Sequence, residues 1–446
     1  MNIIIAGDGE VGFHLAKSLN NLHHNITVVD PHSDLLKRLQ KENDLLTITG
    51  NSTSPEVLEQ ANVSGCDLFL SVLHEENINL ITCMMASRLG AKKTVARISN
   101  AELLTNKNKT MFRDLGVDEL VCPELIAAKE IVNLLNNSMA TEFFDFSGGL
   151  LSMCLVRLEE GSPIVGCTMQ ELSKTYNSLQ VRIVAILRNG STTIPHADTT
   201  FQAGDLTYII SKPNQMESVR KLVGKSAVDI KDVTIAGGGR IGRYAALSLQ
   251  DRMGVTIADQ DRSRCEELSV ALKKSLVLNG DVSDIEFLTG EGLANCDAFI
   301  AVTDSTETNV LTCLHARRLG VQRTIALVEN TGFINLSQEI GIDTIINKKL
   351  ITASYIVRFI VKGSAVRGKW LSGTDAEIIE FVVDAHAPAT RRPIRDLALP
   401  QGATIGGIIR GRETLLPTRD TQLEEMDRVV VFTLPHNMSQ VAKLFN

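Results

Sequence analysis

Two glycine-rich segments of the sequence have a spacing suited to binding phosphate. Gly7-Asp8-Gly9-Glu10-Val11-Gly12 follows the apolar residues 3–6, and Gly237-Gly238-Gly239-Arg240-Ile241-Gly242 follows residues 233–236. Between a strand and a helix, the first glycine permits a tight turn, the second lets the backbone approach a pyrophosphate, and the third allows close packing. The phosphates would lie on the free N–H groups at the positive end of the helix.

An acidic residue follows the second apolar run of each half. Asp30 comes after residues 26–29, and Asp259 comes after residues 255–258. A carboxylate at this position accepts hydrogen bonds from ribose hydroxyls and repels a 2′-phosphate, so we expect NAD(H) rather than NADP(H). Capping of the following helix is an alternative role for either aspartate. Arg262 is close to Asp259 in the sequence and weakens the prediction for the second site.

The two glycine loops differ in charge. Asp8 and Glu10 place two acidic side chains near the first phosphate site, whereas Gly238 and Arg240 occupy the equivalent positions in the second. We therefore expect the first site to bind the weakly charged pyrophosphate of NAD(H), and the second to tolerate ADP or ATP. Arg97, whose counterpart is Leu327, gives the first site a cation of its own.

Further candidates for ligand contact are expected where a crevice should lie, at the carboxyl ends of later strands. They are Asn51, Leu73 and His74 in the first half, and Asp281, Thr303, Asp304 and Glu329 in the second. Thr303 or Asp304 could cap the next helix while facing the ligand, whereas capping alone explains Ser305 and Thr306. His74 is not expected to be a catalytic base, because Asp304 takes its place in the second half. We predict no catalytic and no metal-binding residue.

The chain consists of two homologous halves that position these candidates. The second glycine motif lies 230 residues after the first (237 − 7 = 230). The same displacement relates Asp67 to Asp297, Asn79 to Asn309, and Arg88-Leu89-Gly90 to Arg318-Leu319-Gly320. A register held over so many positions indicates an internal duplication.

Short apolar runs alternate with helical patterns at the start of each half. In the first half the runs are residues 2–6, 26–29, 45–49, 67–72 and 94–98, and the helical patterns are residues 10–22, 33–41, 55–61 and 76–89. Such runs are typical of strands buried on both faces of a parallel sheet. We predict an α/β protein with two Rossmann-like doubly wound parallel sheets, each followed by a small, β-rich α+β lobe.

The β-rich segments also match each other. They cover residues 150–223 and 377–445, after segments 142–149 and 362–369 that we interpret as crossovers. Pro195-His196-Ala197-Asp198-Thr199 corresponds to Pro417-Thr418-Arg419-Asp420-Thr421 (417 − 195 = 222), and Asp205 corresponds to Asp427. A turn is the simpler interpretation of Pro-x-x-Asp-Thr, and a ligand contact is the alternative. The predicted domains are nucleotide-binding lobes at 1–140 and 230–362, and small lobes at 141–225 and 369–446.

Composition excludes several classes of function. The net charge is -7 and aromatic residues make up 4%, which argues against a nucleic-acid-binding surface. No apolar stretch approaches the roughly 18 residues of a membrane-spanning helix, and the first residues do not resemble a signal peptide. The 8 cysteines are spaced too far apart for a zinc site or a disulfide framework. We therefore expect a cytoplasmic protein that does not bind nucleic acid.

The order of the lobes, together with these motifs, resembles the TrkA family of tandem RCK (KTN) domains. The resemblance covers essentially the whole chain and includes both glycine motifs, Asp30, Ala96-Arg97-Ile98, Ala203-Gly204-Asp205-Leu206 and residues 303–309. It implies NAD(H) or adenine nucleotides in the crevices. It also implies a peripheral position on the inner face of the membrane, an integral membrane potassium-conducting partner of the Trk type, and self-association into a ring, with a homotetramer expected.

The sequence departs from the family pattern at three places. Asn51 replaces the aspartate of a Gly-Asp pair, Leu73-His74 replaces Thr-Asp, and Met426 replaces the glycine before Asp427. Two other functions remain open at this stage. A dehydrogenase would need a proton donor beside the nicotinamide, but the small lobes share no His, Lys or Cys for that task. A nucleotide sensor for a partner other than a transporter would carry the same motifs.

Overall fold

The structure is a computed structural model in which the chain forms two compact units. It describes the chain except for residues 8, 22–23, 34–35, 38–44, 137–139, 141, 148, 176–179, 213–214, 225–228, 331, 361–364, 371–375, 435–436 and 446. The first unit comprises residues 1–127 and 348–360, and the second comprises residues 128–347 and 361–446. Among the described residues, no helix has the length and apolar character needed to cross a membrane.

A six-stranded parallel sheet forms the centre of the first unit. Its strands β1 to β6 are Asn2–Ala6, Asn25–Asp30, Leu46–Thr49, Leu68–Ser71, Thr94–Arg97 and Glu119–Val121. The strand order is β3-β2-β1-β4-β5-β6. This is the order of a doubly wound dinucleotide-binding sheet, whose direction of winding reverses between β1 and β4. In sheets of this topology, ligands bind in a crevice at the carboxyl ends of the strands where the winding reverses.

Helices cover this sheet because its strands are apolar on both faces. Ile3, Ile5 and Phe69 are fully buried, as expected for strands covered on both sides. The helices α1 to α4 are Glu10–Asn21, Pro55–Gln60, Glu76–Arg88 and Asn106–Asp114. The next helix, α5 (Pro123–Asn136), begins in the first unit and ends in the second. The predicted helix at 33–41 falls mainly outside the described residues. The sixth strand and the last two helices were not predicted.

The second unit contains a sheet with the same topology. Its strands β12 to β17 are Asp232–Ala236, Gly254–Asp259, Ser275–Asn279, Ala298–Ala301, Arg323–Leu327 and Thr344–Ile346, in the order β14-β13-β12-β15-β16-β17. The helices α8 to α12 are Arg240–Leu249, Arg262–Ala271, Ile285–Gly290, Thr306–Arg318 and Gly332–Glu339. A further helix, α13 (Lys348–Ile360), groups with the first unit and packs against α1. This confirms the prediction of two Rossmann-like sheets.

Two antiparallel five-stranded sheets complete the second unit. The first has the strands β7 to β11, Glu142–Phe146, Leu151–Arg157, Val181–Arg188, Ser191–Thr193 and Leu206–Ser211, with helices α6 (Met169–Thr175) and α7 (Met216–Val223). The second has the strands β18 to β22, Ala365–Trp370, Glu377–Val382, Ala403–Arg410, Glu413–Leu415 and Arg428–Thr433, with helix α14 (Met438–Phe445). These are the predicted β-rich lobes.

The interpretation of 142–149 and 362–369 as crossovers was wrong. Glu142–Phe146 pairs with β8 and Ala365–Trp370 pairs with β19, so each is an edge strand of its lobe. The two lobes share one apolar core, in which the rings of Tyr208 and Phe432 lie 5.8 Å apart. The four predicted domain boundaries remain predictions.

Candidate functional site

The first glycine loop joins β1 to α1 at the carboxyl edge of the first sheet. Gly7 has φ +112° and donates its N–H to the carbonyl of Val29 at 2.9 Å. A Cβ at Gly12 would lie 1.9 Å from the carbonyl oxygen of Gly7. Both glycines are therefore required by the turn itself, for the reasons that the motif predicts. Val11 is buried against the sheet and does not line the crevice.

Gly9 is the glycine of this loop that faces open space. Among the described atoms, the nearest to a Cβ at Gly9 would be Nε2 of His74, at 4.0 Å. His74 is exposed and follows β4, so it lies across the crevice from the loop. A phosphate could therefore approach the backbone here, as the motif predicts. Asp8 lies outside the described residues, and only the backbone of Glu10 is described.

Asp30 ends β2 and is 3% exposed. Its Oδ1 accepts the backbone N–H of His32 at 2.9 Å and contacts Nδ1 of the same side chain at 2.8 Å. The His32 side chain is largely exposed. Asp30 therefore orders the chain that leaves β2, a role close to the capping alternative. Sequence reasoning did not identify His32, although it is two residues from the predicted acid.

In each half, a buried asparagine joins the ends of two neighbouring strands on one side of the crevice. Asn79 Oδ1 accepts the N–H of Leu73 at 2.8 Å, while its Nδ2 donates to the carbonyls of Leu73 and Arg97, both at 2.9 Å. Asn309 makes the same three contacts, with Thr303 twice and with Leu327. In the sequence these two residues mark the duplication, and in the structure their amides hold the backbone that would face a ligand.

Arg97 lies at the end of β5, where it pairs with a carboxylate. Its Nη2 is 3.8 Å from Glu124 Oε1, and both side chains are nearly buried. Lys348, the first residue of α13, reaches the same oxygen at 3.9 Å. The Nε of Arg97 is buried and makes no hydrogen bond within the described part of the chain. Two cations thus share one anion beside the first crevice, and the equivalent of Arg97 in the second half is Leu327.

The second glycine loop repeats the geometry of the first. Gly237 has φ +112°, and a Cβ at Gly242 would lie 2.0 Å from the Gly237 carbonyl oxygen. No described atom lies within 4 Å of a Cβ at Gly239. Arg240 is exposed in the first turn of α8, whereas Ile241 is buried. The second crevice therefore has an open approach to the helix start and a cation beside it.

Asp259 is held by three donors at the end of β13. Its Oδ2 accepts the N–H of Gly238 at 2.7 Å, and its Oδ1 accepts the N–H of Asp261 at 2.8 Å. Arg264 Nη1 contacts both oxygens, at 3.0 and 3.3 Å. This hydrogen bond, helped by the charges of Asp259, Asp261 and Asp304, raises the pKa of Arg264.

Arg262, which is close to Asp259 in the sequence, forms its ion pair with another carboxylate. Arg262 lies 3.4 Å from Glu266 across one turn of α9, with both side chains largely exposed. Arg264, two residues later, is turned toward β13 and contacts Asp259. Helical rotation between the two positions decides which arginine reaches the carboxylate.

The loops after β14 to β16 hold the remaining candidates of the second half. The N-cap of α11 is Ser305, whose Oγ accepts the N–H of Thr308 at 3.1 Å. Because Ser305 is the N-cap, neither Thr303 nor Asp304 caps the helix, and Thr303 donates its hydroxyl to Asn309. The N–H of Glu329 donates to Thr306 Oγ1 at 3.2 Å, and its carbonyl accepts from Asn347 at 3.2 Å.

Asn51 and Asp281 stabilise turns. Asn51 Oδ1 accepts the N–H and hydroxyl of Thr53, and Asp281 Oδ1 accepts those of Ser283. The bonds from Ser283 lower the pKa of Asp281. Asn51 therefore makes the same contacts within its turn as its counterpart Asp281 makes.

The matched residues of the small lobes have structural roles. Thr199 Oγ1 accepts the N–H of His196, and Thr421 Oγ1 accepts that of Thr418, both at 2.9 Å, so each Pro-x-x-Asp-Thr closes a turn. Buried Asp205 accepts two hydrogen bonds from Arg188, and Asp427 accepts two from Arg410. These contacts favour the turn over the ligand contact.

Family comparison matches both kinds of lobe. The TrkA-N domain matches residues 3–123 and 233–348, and the TrkA-C domain matches residues 153–224 and 378–446. These segments contain both glycine loops and both pairs of a buried aspartate with an arginine.

Named relatives match along the full chain. A "Trk system potassium uptake protein TrkA homolog" of Archaeoglobus fulgidus is 34% identical over 446 residues, with 100% of both chains covered. The "Trk system potassium uptake protein TrkA" of Halomonas elongata is 31% identical over 450 residues, covering 100% of this chain and 98% of the relative.

Solved structures share the fold at low identity. One described as "GsuK channel bound to NAD" has a TM-score of 0.60 and 19% identity, covering 100% of this chain and 78% of that one. Another, "Crystal structure of the GsuK bound to ADP", has a TM-score of 0.51 and 15% identity, covering 81% and 69%. Both support the fold described above.

Proposed function

The chain belongs to the TrkA family, and we propose that it is the regulatory subunit of a potassium uptake system, controlled by nucleotides in its two crevices. The observation that carries this proposal is the duplicated crevice itself. In each half a strict strand–glycine–helix turn leaves one glycine, Gly9 or Gly239, facing open space at the helix start. A helix start with exposed backbone favours phosphate.

NAD(H) is the proposed ligand of the first crevice, and ADP or ATP is the proposed ligand of the second. Asp30 supports the first assignment because a carboxylate at this strand end repels a 2′-phosphate. The pair Arg97 and Lys348 adds positive charge beside that crevice. Arg240 at the start of α8 supports a more highly charged phosphate chain in the second crevice. The fold neighbours named as bound to NAD and to ADP agree with both classes of ligand.

The proposed mechanism is a shift between arrangements of rigid lobes. A nucleotide that contacts its crevice better in one arrangement than in another changes the populations of the two. Each tenfold difference in affinity between the two arrangements corresponds to about 1.4 kcal/mol, so a few contacts made in only one arrangement suffice to shift the populations. The partner would be an integral membrane potassium-conducting subunit of the Trk type. We further propose that the protein forms a ring, as a homotetramer, on the cytoplasmic face of the membrane.

We propose that no reaction is catalysed in either crevice. His74 lies opposite Gly9, but Asp304 is its equivalent in the second half. The residues that the two crevices share, the glycines and the buried asparagines, shape the backbone rather than transfer protons.

Calorimetric titration with pull-down tests this proposal. The chain should bind NADH and ADP, and should retain a potassium-conducting membrane protein from solubilised membranes. Gly9→Val should remove NADH binding at the first crevice, and Gly239→Val should reduce ADP binding at the second, because both side chains fill space that the fold leaves open. Absence of nucleotide binding by the folded, unmodified chain would contradict the proposal.

A further inference from the structure

The second crevice contains an arginine that would compete with the ribose of a nucleotide for the carboxylate of Asp259. We propose that Arg264 is a specificity-determining residue. It occupies the acceptor positions of Asp259 that ribose hydroxyls would use, so the nucleotide affinity of this crevice depends only weakly on those hydroxyls. This inference rests on the proposed binding of a nucleotide. It adds a residue that neither motif nor charge pattern indicated.

The acceptor capacity of Asp259 is already filled by the protein. A carboxylate offers about four lone-pair positions. Gly238 N–H and Asp261 N–H take one on each oxygen, and Arg264 Nη1 contacts both oxygens at 3.0 and 3.3 Å. Asp259 is 6% exposed, so solvent offers little alternative access. A ribose hydroxyl can donate to this carboxylate only if one of the three donors leaves.

Arg264 is the donor that can leave. The N–H groups of Gly238 and Asp261 belong to the backbone on either side of the carboxylate. The Gly238 backbone is packed tightly: a Cβ there would lie 2.6 Å from Leu268 Cδ1 and 3.1 Å from Asp259 Cβ. Arg264 is a flexible side chain with 42% of its surface exposed. Binding of a ribose diol therefore exchanges arginine donors for hydroxyl donors at Asp259.

The displaced guanidinium remains close to other carboxylates. Arg264 Nη2 already lies 3.8 Å from Asp261 Oδ2, and the charge of Asp304 also acts on it. The exchange is thus possible without leaving a cation unpaired. Its cost is the charge-assisted bond to Asp259, and this cost reduces the net gain from ribose recognition.

Helix α9 supplies a matched control for this residue. Arg262 carries the same charge two residues earlier, contacts Glu266 and is 84% exposed. Removal of either arginine changes the net charge near the crevice by the same amount. Only removal of Arg264 frees acceptor positions on Asp259.

The test uses the full chain carrying Gly9→Val, so that titration reports the second crevice. Affinities for ADP and for 2′,3′-dideoxy-ADP, which has the same charge but lacks ribose hydroxyls, are measured for this chain and for its Arg264→Ala and Arg262→Ala derivatives. We expect Arg264→Ala to raise the ratio of ADP affinity to dideoxy-ADP affinity about tenfold. Arg262→Ala should leave the ratio unchanged. General electrostatic effects cancel in this ratio.

The outcomes separate this inference from the proposed function. If the Gly9→Val chain binds ADP but Arg264→Ala changes the ratio no more than Arg262→Ala does, or lowers it, the role of Arg264 is overturned while nucleotide binding stands. If no variant binds either nucleotide although all are folded, the proposed ligand of the crevice is overturned together with the inference.

Discussion

At the scale of single residues, the glycines of each loop have two distinct tasks. Gly12 and Gly242 lie so close to the carbonyls of Gly7 and Gly237 that a side chain cannot fit. Gly9 and Gly239 face the crevice instead. A substitution at the first kind of position tests the fold, and one at the second kind tests the site. Only Gly9 and Gly239 therefore provide clean binding variants.

Alanine at the two positions of the second loop should separate these tasks. We expect Gly242→Ala to lower the free energy of unfolding by about 1–3 kcal/mol, because its Cβ would overlap a backbone carbonyl. Gly239→Ala should change it by less than about 0.5 kcal/mol. Urea denaturation measures both. Equal effects would contradict the division of roles.

Met426 should be replaceable by glycine with a gain in stability. It has φ +65° and is 69% exposed, whereas its counterpart Gly204 has φ +89°. Glycine removes the strain of the left-handed backbone, but it also increases the conformational entropy of the unfolded chain. The difference predicts that Met426→Gly raises the free energy of unfolding by about 0.5–1 kcal/mol. Thermal unfolding would show a higher midpoint. The reverse change, Gly204→Met, should destabilise the first small lobe by a similar amount, and a loss of stability in Met426→Gly would refute the explanation.

At the scale of elements, the buried asparagines connect strands that lie on one side of each crevice. Asn309 is 1% exposed and contacts the backbone after β15 and at the end of β16. Its helix, α11, is thereby fastened to the sheet edge that would face a ligand. The same arrangement around Asn79 makes it a property of the duplicated fold.

Removal of the Asn309 amide should loosen this edge. Asn309→Leu leaves the N–H of Thr303 and the carbonyls of Thr303 and Leu327 without their partner, and we expect a loss of about 3 kcal/mol in unfolding free energy. Hydrogen exchange should accelerate at the ends of β15 and β16. Leu311→Ala on the same helix, at a side chain that is 65% exposed, is the control. Unchanged exchange in Asn309→Leu would contradict the fastening role.

The sequence predicted the first five strands of each half better than the elements that follow them. The first five strands of the first half were placed within one residue at each end, because each is an apolar run between polar turns. The sixth strands, Glu119–Val121 and Thr344–Ile346, are three residues long and carry no periodic signal. The edge strands β7 and β18 were missed because their pairing is set by the lobe, not by their own pattern.

In the candidate site too, the sequence predicts local motifs but not the contacts that depend on packing. The glycines and both acids could be identified because a phosphate-binding turn requires particular residue types at fixed spacing. The partners of those acids could not, since contacts such as Arg264 with Asp259 depend on the rotation of a helix against a strand. The pairing of Lys348 with Glu124 joins residues far apart in the chain, which no local pattern reveals.

At the scale of the whole molecule, the duplication places two unequal crevices on one chain. The first is flanked by Arg97 and Lys348, and the second contains Arg240 and an arginine-bound Asp259. Covalent linkage of unequal sites allows two nucleotides to bias one equilibrium in the same or in opposite directions.

Each crevice should prefer a different nucleotide. In Gly239→Val chains, which retain the first crevice, NADH should bind more tightly than ATP. In Gly9→Val chains, which retain the second, ATP or ADP should bind at least as tightly as NADH, because Arg240 favours the more highly charged phosphate chain. Isothermal titration of the two variants measures this. Equal preference in both would contradict the assignment based on loop charge.

Potassium flux through the membrane partner tests the central claim most directly. The partner is reconstituted in vesicles with the unmodified chain or with the Gly9→Val, Gly239→Val double variant, and flux is recorded with and without NADH and ATP. We predict that nucleotides change the flux with the unmodified chain, and that the double variant still binds the partner but no longer responds. A double variant whose flux responds to nucleotides as the unmodified chain does would contradict control through the two crevices.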